Sequence, residues 1–150
     1  MKLNLLSYLA GIVDGEGYVG IKEINKKTLK TWGRVTPSFI AKICVSMQDK
    51  EIVELFHKRY GGSFYIKKTP EGQKNLWSWE ISNKQVEKFC KDFLPLLIGK
   101  KKQLEHLYLL RKSINEDRKR KVNGFKKPII PENIIFHRKG LFKKVKLLNI

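Results

Sequence analysis

LAGIVDGEG, residues 9–17, decides how the rest of the chain is read. Leu5, Leu6, Leu9, Ala10, Ile12 and Val13 recur at helical spacing, which predicts a first helix over 4–14 with Asn4 or Ser7 as its cap and the glycines after Asp14 as its stop. The unpaired carbonyls of a helix C-terminus carry partial negative charge, so carboxylates placed there are destabilising unless something positive answers them. Asp14 and Glu16 nevertheless stand at that end. Two readings are open. One acid caps a turn while the other faces water, or the acids and the helix-end carbonyl of Gly15 form an oxygen site for a hard divalent cation. Mg²⁺ takes one or two carboxylates and fills its shell with water and phosphate oxygens, so the second reading needs a phosphate-bearing partner.

The charge balance points to such a partner. Lys and Arg number 32 against 14 Asp and Glu, a net charge of +18 on 150 residues of which 41% are hydrophobic. That length and apolar content fit one globular domain, and a compact body so positively charged calls for a polyanion. Nucleic acid leads over an anionic membrane surface, because no apolar run approaches the roughly 20 residues of a spanning helix. The N-terminus has no secretory pattern, so an intracellular protein is expected, in the cytoplasm of a prokaryote or in a mitochondrion or chloroplast, and not a secreted one. Cys44 and Cys90 are too few and too far apart for a disulfide framework or zinc site, and read as small apolar side chains. His57, His106 and His137 have no metal-ligand spacing.

After the glycines the period changes to two. Val19 and Ile21 alternate with Tyr18, Gly20 and Lys22, and after a basic loop at 25–34 the alternation returns, Phe39, Ala41, Ile43 and Val45 against Ser38, Ile40, Lys42, Cys44 and Ser46. Both segments read as strands with one solvated face. Ile52, Val53, Leu55 and Phe56 predict a second helix with Asp49 as N-cap and Gly61 as stop. Residues 63–82 read as two strands around a turn at Pro70, Glu71 and Gly72. A third helix is predicted from an Asn83 cap to Gly99, a fourth over 100–114 on Leu104, Leu107, Tyr108 and Leu110 or Arg111, and short helices around Ile134 and Leu141. The expected fold is α+β, in the order αββαββα, with a four-stranded antiparallel sheet and helices on one face. Residues 1–120 form the expected core and 121–150 a basic extension expected to pack on it and to meet the backbone of a nucleic-acid partner.

LAGIVDGEG resembles the nine-residue signature of the LAGLIDADG homing endonucleases, with conservative changes at Ile12 and Val13, Gly15 for alanine and Glu16 for the final aspartate. The likeness extends to the order of elements through about residue 120. It implies a homing-endonuclease fold with a saddle-shaped sheet, and site-specific cleavage of double-stranded DNA that leaves 3′ overhangs. Glu16 takes the role of the metal-binding acid, with Mg²⁺ as cofactor, Mn²⁺ able to substitute, and no organic cofactor. Asp14 matches the first acid of the motif and supports the turn or the outer shell of the metal. Lys100, with Lys101 and Lys102 as rivals, matches the family's basic residue near the phosphate. A glutamine just after the second strand is also implied, but register puts Met47 there and Gln48 one step later, so Gln48 is a water-organising candidate only by neighbourhood.

One motif in the chain implies a homodimer and a roughly palindromic target. Gly11 and Gly15, four apart, form with Ala10 a side-chain-poor strip, and the expected interface comprises Leu9, Ala10, Gly11, Ile12, Asp14 and Gly15. The strand alternation nominates Tyr18, Lys22, Arg34, Ser38, Lys42, Ser46, Tyr65 and Lys67, with Lys68 and Lys74 near the hairpin turn, as the DNA-facing residues. Trp77 and Trp79 share the opposite, core face. The basic runs 118–121, 126–127 and 143–146 are read as phosphate contacts. Two alternatives stay open: a maturase that binds its intron RNA, and a DNA-binding regulator without cleavage.

Overall fold

The computed structural model describes residues 2–24, 37–120 and 130–150. Its elements run α1 (Lys2–Glu16), β1 (Gly17–Glu23), β2 (Phe39–Met47), α2 (Lys50–Tyr60), β3 (Ser63–Lys67), β4 (Leu76–Ser82), α3 (Gln85–Phe93), α4 (Lys101–Glu116), a 3₁₀ turn (Asp117–Arg120) and α5 (Glu132–Leu148). The expected α+β order is present, followed by α5. Arg34, the loop around it and Lys126 and Lys127 lie outside the described residues.

The two hairpins join as anticipated into one antiparallel sheet of order β1-β2-β4-β3. Its register sets Gly17 opposite Val45, Val45 opposite Trp79, and Phe64 opposite Trp79. Side chains on a strand alternate between faces, so Val19, Ile43, Val45, Trp79 and Ile81 share one face, and they are almost fully buried. The helices cover that face: Leu9 and Val13 of α1, Phe56 of α2, Phe89 and Phe93 of α3, and Leu104, Leu107 and Leu110 of α4 join the same core. Trp79 stacks on Phe56 with ring centroids 5.0 Å apart, and its indole N–H donates to the Gly61 carbonyl at 2.7 Å, which satisfies its one polar atom. Trp77 stacks on Phe64 on the same side. Tyr108 is exposed, and Leu110 and Arg111 take the buried positions at the end of α4.

Several boundaries differ from expectation. α1 runs through Asn4, Ser7 and Gly15 and ends at Glu16, so neither predicted cap nor Gly15 bounds it. Gly17 opens β1 because of space: a Cβ there would lie 2.6 Å from the Val13 carbonyl oxygen. Asp49 does occupy the N-cap of α2, but its side chain makes no cap hydrogen bond. Gly61 and Gly62 stop that helix with φ of 67° and 86°, backbone that side-chain-bearing residues rarely adopt. Asn83 does not cap α3. It adopts φ 55° and its N–H donates to the Ala41 carbonyl, leaving Lys84 at the N-cap. α3 ends at Phe93, before Leu94 to Gly99, and the two short C-terminal helices are one helix of 17 residues. Burial of Arg138, Leu141 and Val145 against the body of the protein carries α5 past Gly140. Arg138 pairs with Asp117 at 2.6 Å and with the Ser113 carbonyl, tying α5 to the end of α4. At its other end Asn149 donates to the Val19 carbonyl on the outer edge of β1.

Candidate nucleic-acid interface

The tip of α1 resolves its charge problem through a distant loop. The Asp14 carboxylate accepts from the Ile98 N–H and the Lys100 N–H, each at 2.9 Å. The Lys100 ammonium in turn donates to the carbonyls of Val13 at 3.0 Å and Asp14 at 2.7 Å. A cation on the last carbonyls of a helix is the favourable arrangement, and here it also offsets the acid beside them. Asp14 is therefore a loop-holding residue and Lys100 a helix-capping one. Lys101 and Lys102 are exposed on the first turn of α4. Glu16 is exposed and makes no hydrogen bond or ion pair among the described residues, so it is the carboxylate left free at the tip.

Glu16 stands at the margin of an open concavity of about 970 Å³ on the uncovered face of the sheet. Tyr18, Lys22, Lys42, Ser46, Tyr65 and Lys67, all nominated by alternation, line it. Tyr18 lies over Gly20, where a Cβ would collide with its phenol. Lys68 and Lys74 are exposed beside the β3–β4 turn, and Ser38 is half-buried just before β2. Gln48 is exposed in the bend after β2 and does not line the concavity, while Met47 packs against the core. Neither makes a hydrogen bond or ion pair with the α1 tip among the described residues.

Sequence reasoning did not nominate Glu80 and Ser78 on this face, nor Asn149 and Ile150 after α5 at its rim, where Lys146, already read as a phosphate contact, also lies. Strand register would have found the first two once β4 was paired, because Glu80 shares parity with Ser78 and lies opposite Cys44, which alternation had already put on the solvated face. The Lys42 ammonium lies 3.1 Å from Glu80, and the Tyr65 hydroxyl donates to the same carboxylate at 3.2 Å. Burial alone would lower the pKa of Lys42, but the hydrogen bond and charge of Glu80 outweigh it and hold it above its ordinary value. Ser46 and Ser78 hydrogen-bond at 2.7 Å across β2 and β4, and Cys44 lies within 3.6 Å of both.

The strip expected on α1 as an interface divides in two. Leu9 and Ala10 are buried in the chain's own core, and the Asp14 side chain is committed to the 98–100 loop. The free strip is rotated to Leu5, Tyr8, Gly11 and Gly15, with Ile12 half-buried beside it. A Cβ at Gly11 or Gly15 would meet nothing within 4 Å.

No protein-family model matches the sequence, nor does any curated protein. Similar solved structures include the homing endonuclease I-CvuI in complex with its target, at 16% identity and a TM-score of 0.69 over 95% of this chain and 80% of that one. They include the archaeal intron-encoded homing endonuclease I-Vdi141I complexed with DNA, at 15% identity and 0.60 over 98% and 99%. The LAGLIDADG homing endonuclease I-GzeII, in complex with its DNA target, matches at 12% identity and 0.61, with 95% of this chain covering 43% of that one. Together with the αββαββα order and the LAGIVDGEG helix, this likeness identifies the chain as having the LAGLIDADG homing-endonuclease fold.

Proposed function

We propose that this protein is a site-specific endonuclease that cuts double-stranded DNA as a homodimer with divalent metal. The observation that carries the reading is the position of Glu16: a carboxylate without a partner among the described residues, at the end of α1 and on the rim of a concave sheet face bearing Lys22, Lys42 and Lys67. DNA-bound homing endonucleases among the similar structures support the same reading.

The donor set fits a hard cation completed by DNA. Glu16 and the helix-end carbonyl of Gly15 would be the protein's oxygen donors, since among the described residues no three His, Cys, Asp or Glu side chains come together. Mg²⁺ accepts so few protein ligands when phosphate and water fill the remaining positions, and Mn²⁺ takes the same oxygen donors. When bound, the metal supplies an activated water and neutralises charge on the attacked phosphate. The residues of the chain prepare that site. Lys100 holds the last turn of α1 by its carbonyls, Asp14 fixes the loop that carries Lys100, and Glu16 extends beyond both toward the duplex. A second copy packed along Leu5, Tyr8, Gly11, Ile12 and Gly15 brings a second Glu16 to the same stretch of DNA, which makes the target roughly palindromic; the resemblance to the LAGLIDADG family implies 3′ overhangs. Lys143, Lys144 and Lys146, exposed on α5, contact flanking phosphates.

The test joins the DNA on either side of the gene into an uninterrupted duplex and incubates it with protein, with and without Mg²⁺. Mg²⁺-dependent double-strand breaks that disappear in Glu16→Gln, while binding persists, are expected. Tight binding without cutting under any divalent metal would overturn the nuclease in favour of a regulator.

A further inference from the structure

The face expected to meet a polyanion carries an acid near its centre. Glu80 lies in β4 opposite Cys44 of β2 and Ser63 of β3, with its side chain 29% exposed. Phosphate repels a carboxylate, so contact with DNA backbone gives no reason for an acid at this position. Its surroundings are specific. The Lys42 ammonium and the Tyr65 hydroxyl both approach Oε2, and Oε1 makes no hydrogen bond or ion pair among the described residues. The carboxylate thus keeps a whole oxygen as acceptor, and the ammonium, with three donors, keeps two.

An acceptor and a donor held side by side match one feature of the major groove. The edge of a C·G pair presents the cytosine N4 amino group beside the O6 and N7 acceptors of guanine; Glu is the usual acceptor for the first, and Lys a usual donor to the second. On the proposed reading of this face as a DNA-binding one, we infer that Glu80 and Lys42 act together as the reader of one C·G base pair in each half-site, with Tyr65 fixing the carboxylate. The ion pair keeps the acid from being expelled by the phosphates around it and holds the lysine over a base edge.

The experiment measures binding and cleavage of a duplex library in which every half-site position is randomised, for the wild type, Glu80→Gln and Lys42→Met. The wild type should prefer C·G at one position per half-site by about 10- to 100-fold, in line with one good base contact. Glu80→Gln keeps the shape of the side chain, and glutamine pairs with adenine N6 and N7, so it should move that single preference toward A·T and leave the other positions unchanged. Lys42→Met should weaken discrimination for guanine at the same position. A Glu80→Gln profile superimposable on the wild type, or one weakened equally at every position, would overturn the inference and leave Glu80 as a tether for Lys42. Absence of any sequence-dependent binding by the wild type would overturn both this inference and the DNA reading beneath it.

Discussion

The two faces of the one sheet are built on opposite terms. On the helix side, Val19, Ile43, Val45, Trp79 and Ile81 are packed to near-zero exposure, and their requirement is shape, with one hydrogen bond from the Trp79 indole to Gly61. On the open side, the sheet carries Tyr18, Lys22, Lys42, Tyr65, Lys67 and Glu80, polar or charged groups that face a concavity no helix fills. Residues one step apart along β4, Trp79 and Glu80, therefore answer to different physics. The tip of α1 repeats the contrast on a smaller scale, since Asp14 is consumed by the fold and Glu16 is left outside it.

Substitutions can break or sharpen this contrast. The largest effect on stability belongs to the packed face: Trp79→Ala should cost about 4 kcal/mol in urea unfolding, through lost transfer energy and an unfilled cavity. Tyr65→Ala, on the open face, should stay within about 0.5 kcal/mol, and equal losses at the two sites would erase the distinction. Glu16→Gln should lower cleavage by roughly a thousandfold, several kcal/mol of metal-dependent stabilisation at about 1.4 kcal/mol per tenfold, with an unchanged unfolding midpoint. Asp14→Ala should cost about 1–2 kcal/mol, because the Ile98 and Lys100 N–H groups lose their acceptor, and stability and cleavage should fall together. This joint loss, set against the activity-only loss at Glu16, separates the structural acid from the functional one.

The smallest effect is a pH dependence in the helix layer. Burial would raise the pKa of Glu87, but hydrogen bonds from Asn115 and Arg111 and the nearby positive charge outweigh it and hold the pKa below its ordinary 4.5. The depressed pKa means that the stabilisation is present above pH 4.5 and is lost as pH falls through the lower folded-state value. Glu87→Gln should therefore flatten the acid limb of a stability profile measured from pH 6 to pH 2.5, with little change in its slope at neutral pH.

The legible and illegible parts of the chain divide by range. Period-two alternation placed the residues of β1 and β2 on their correct faces, because a strand's side chains alternate whatever it packs against. α1 was harder. It is apolar nearly all round, with Leu5, Leu6, Leu9, Ala10, Ile12 and Val13 spread over more than one face, so spacing could not tell the strip that enters the chain's own core from the strip left open. The interface read from the motif therefore included Leu9 and Ala10, which the core had claimed. Glu80 went unnoticed because its meaning depends on Lys42 and Tyr65, and only sheet pairing brings those three together.

The order of secondary structure, the charged and apolar sides of the strands and the acidic end of the first helix were determined by the sequence alone, since each follows from residues within a turn or two of one another. The tertiary structure decided which acid remained free. Lys100 and the Ile98 N–H come from more than 80 residues away to claim Asp14 and the carbonyls beside it, and no local periodicity encodes that meeting. Long-range packing fixed it, because buried or crowded polar groups must find partners wherever the folded chain supplies them.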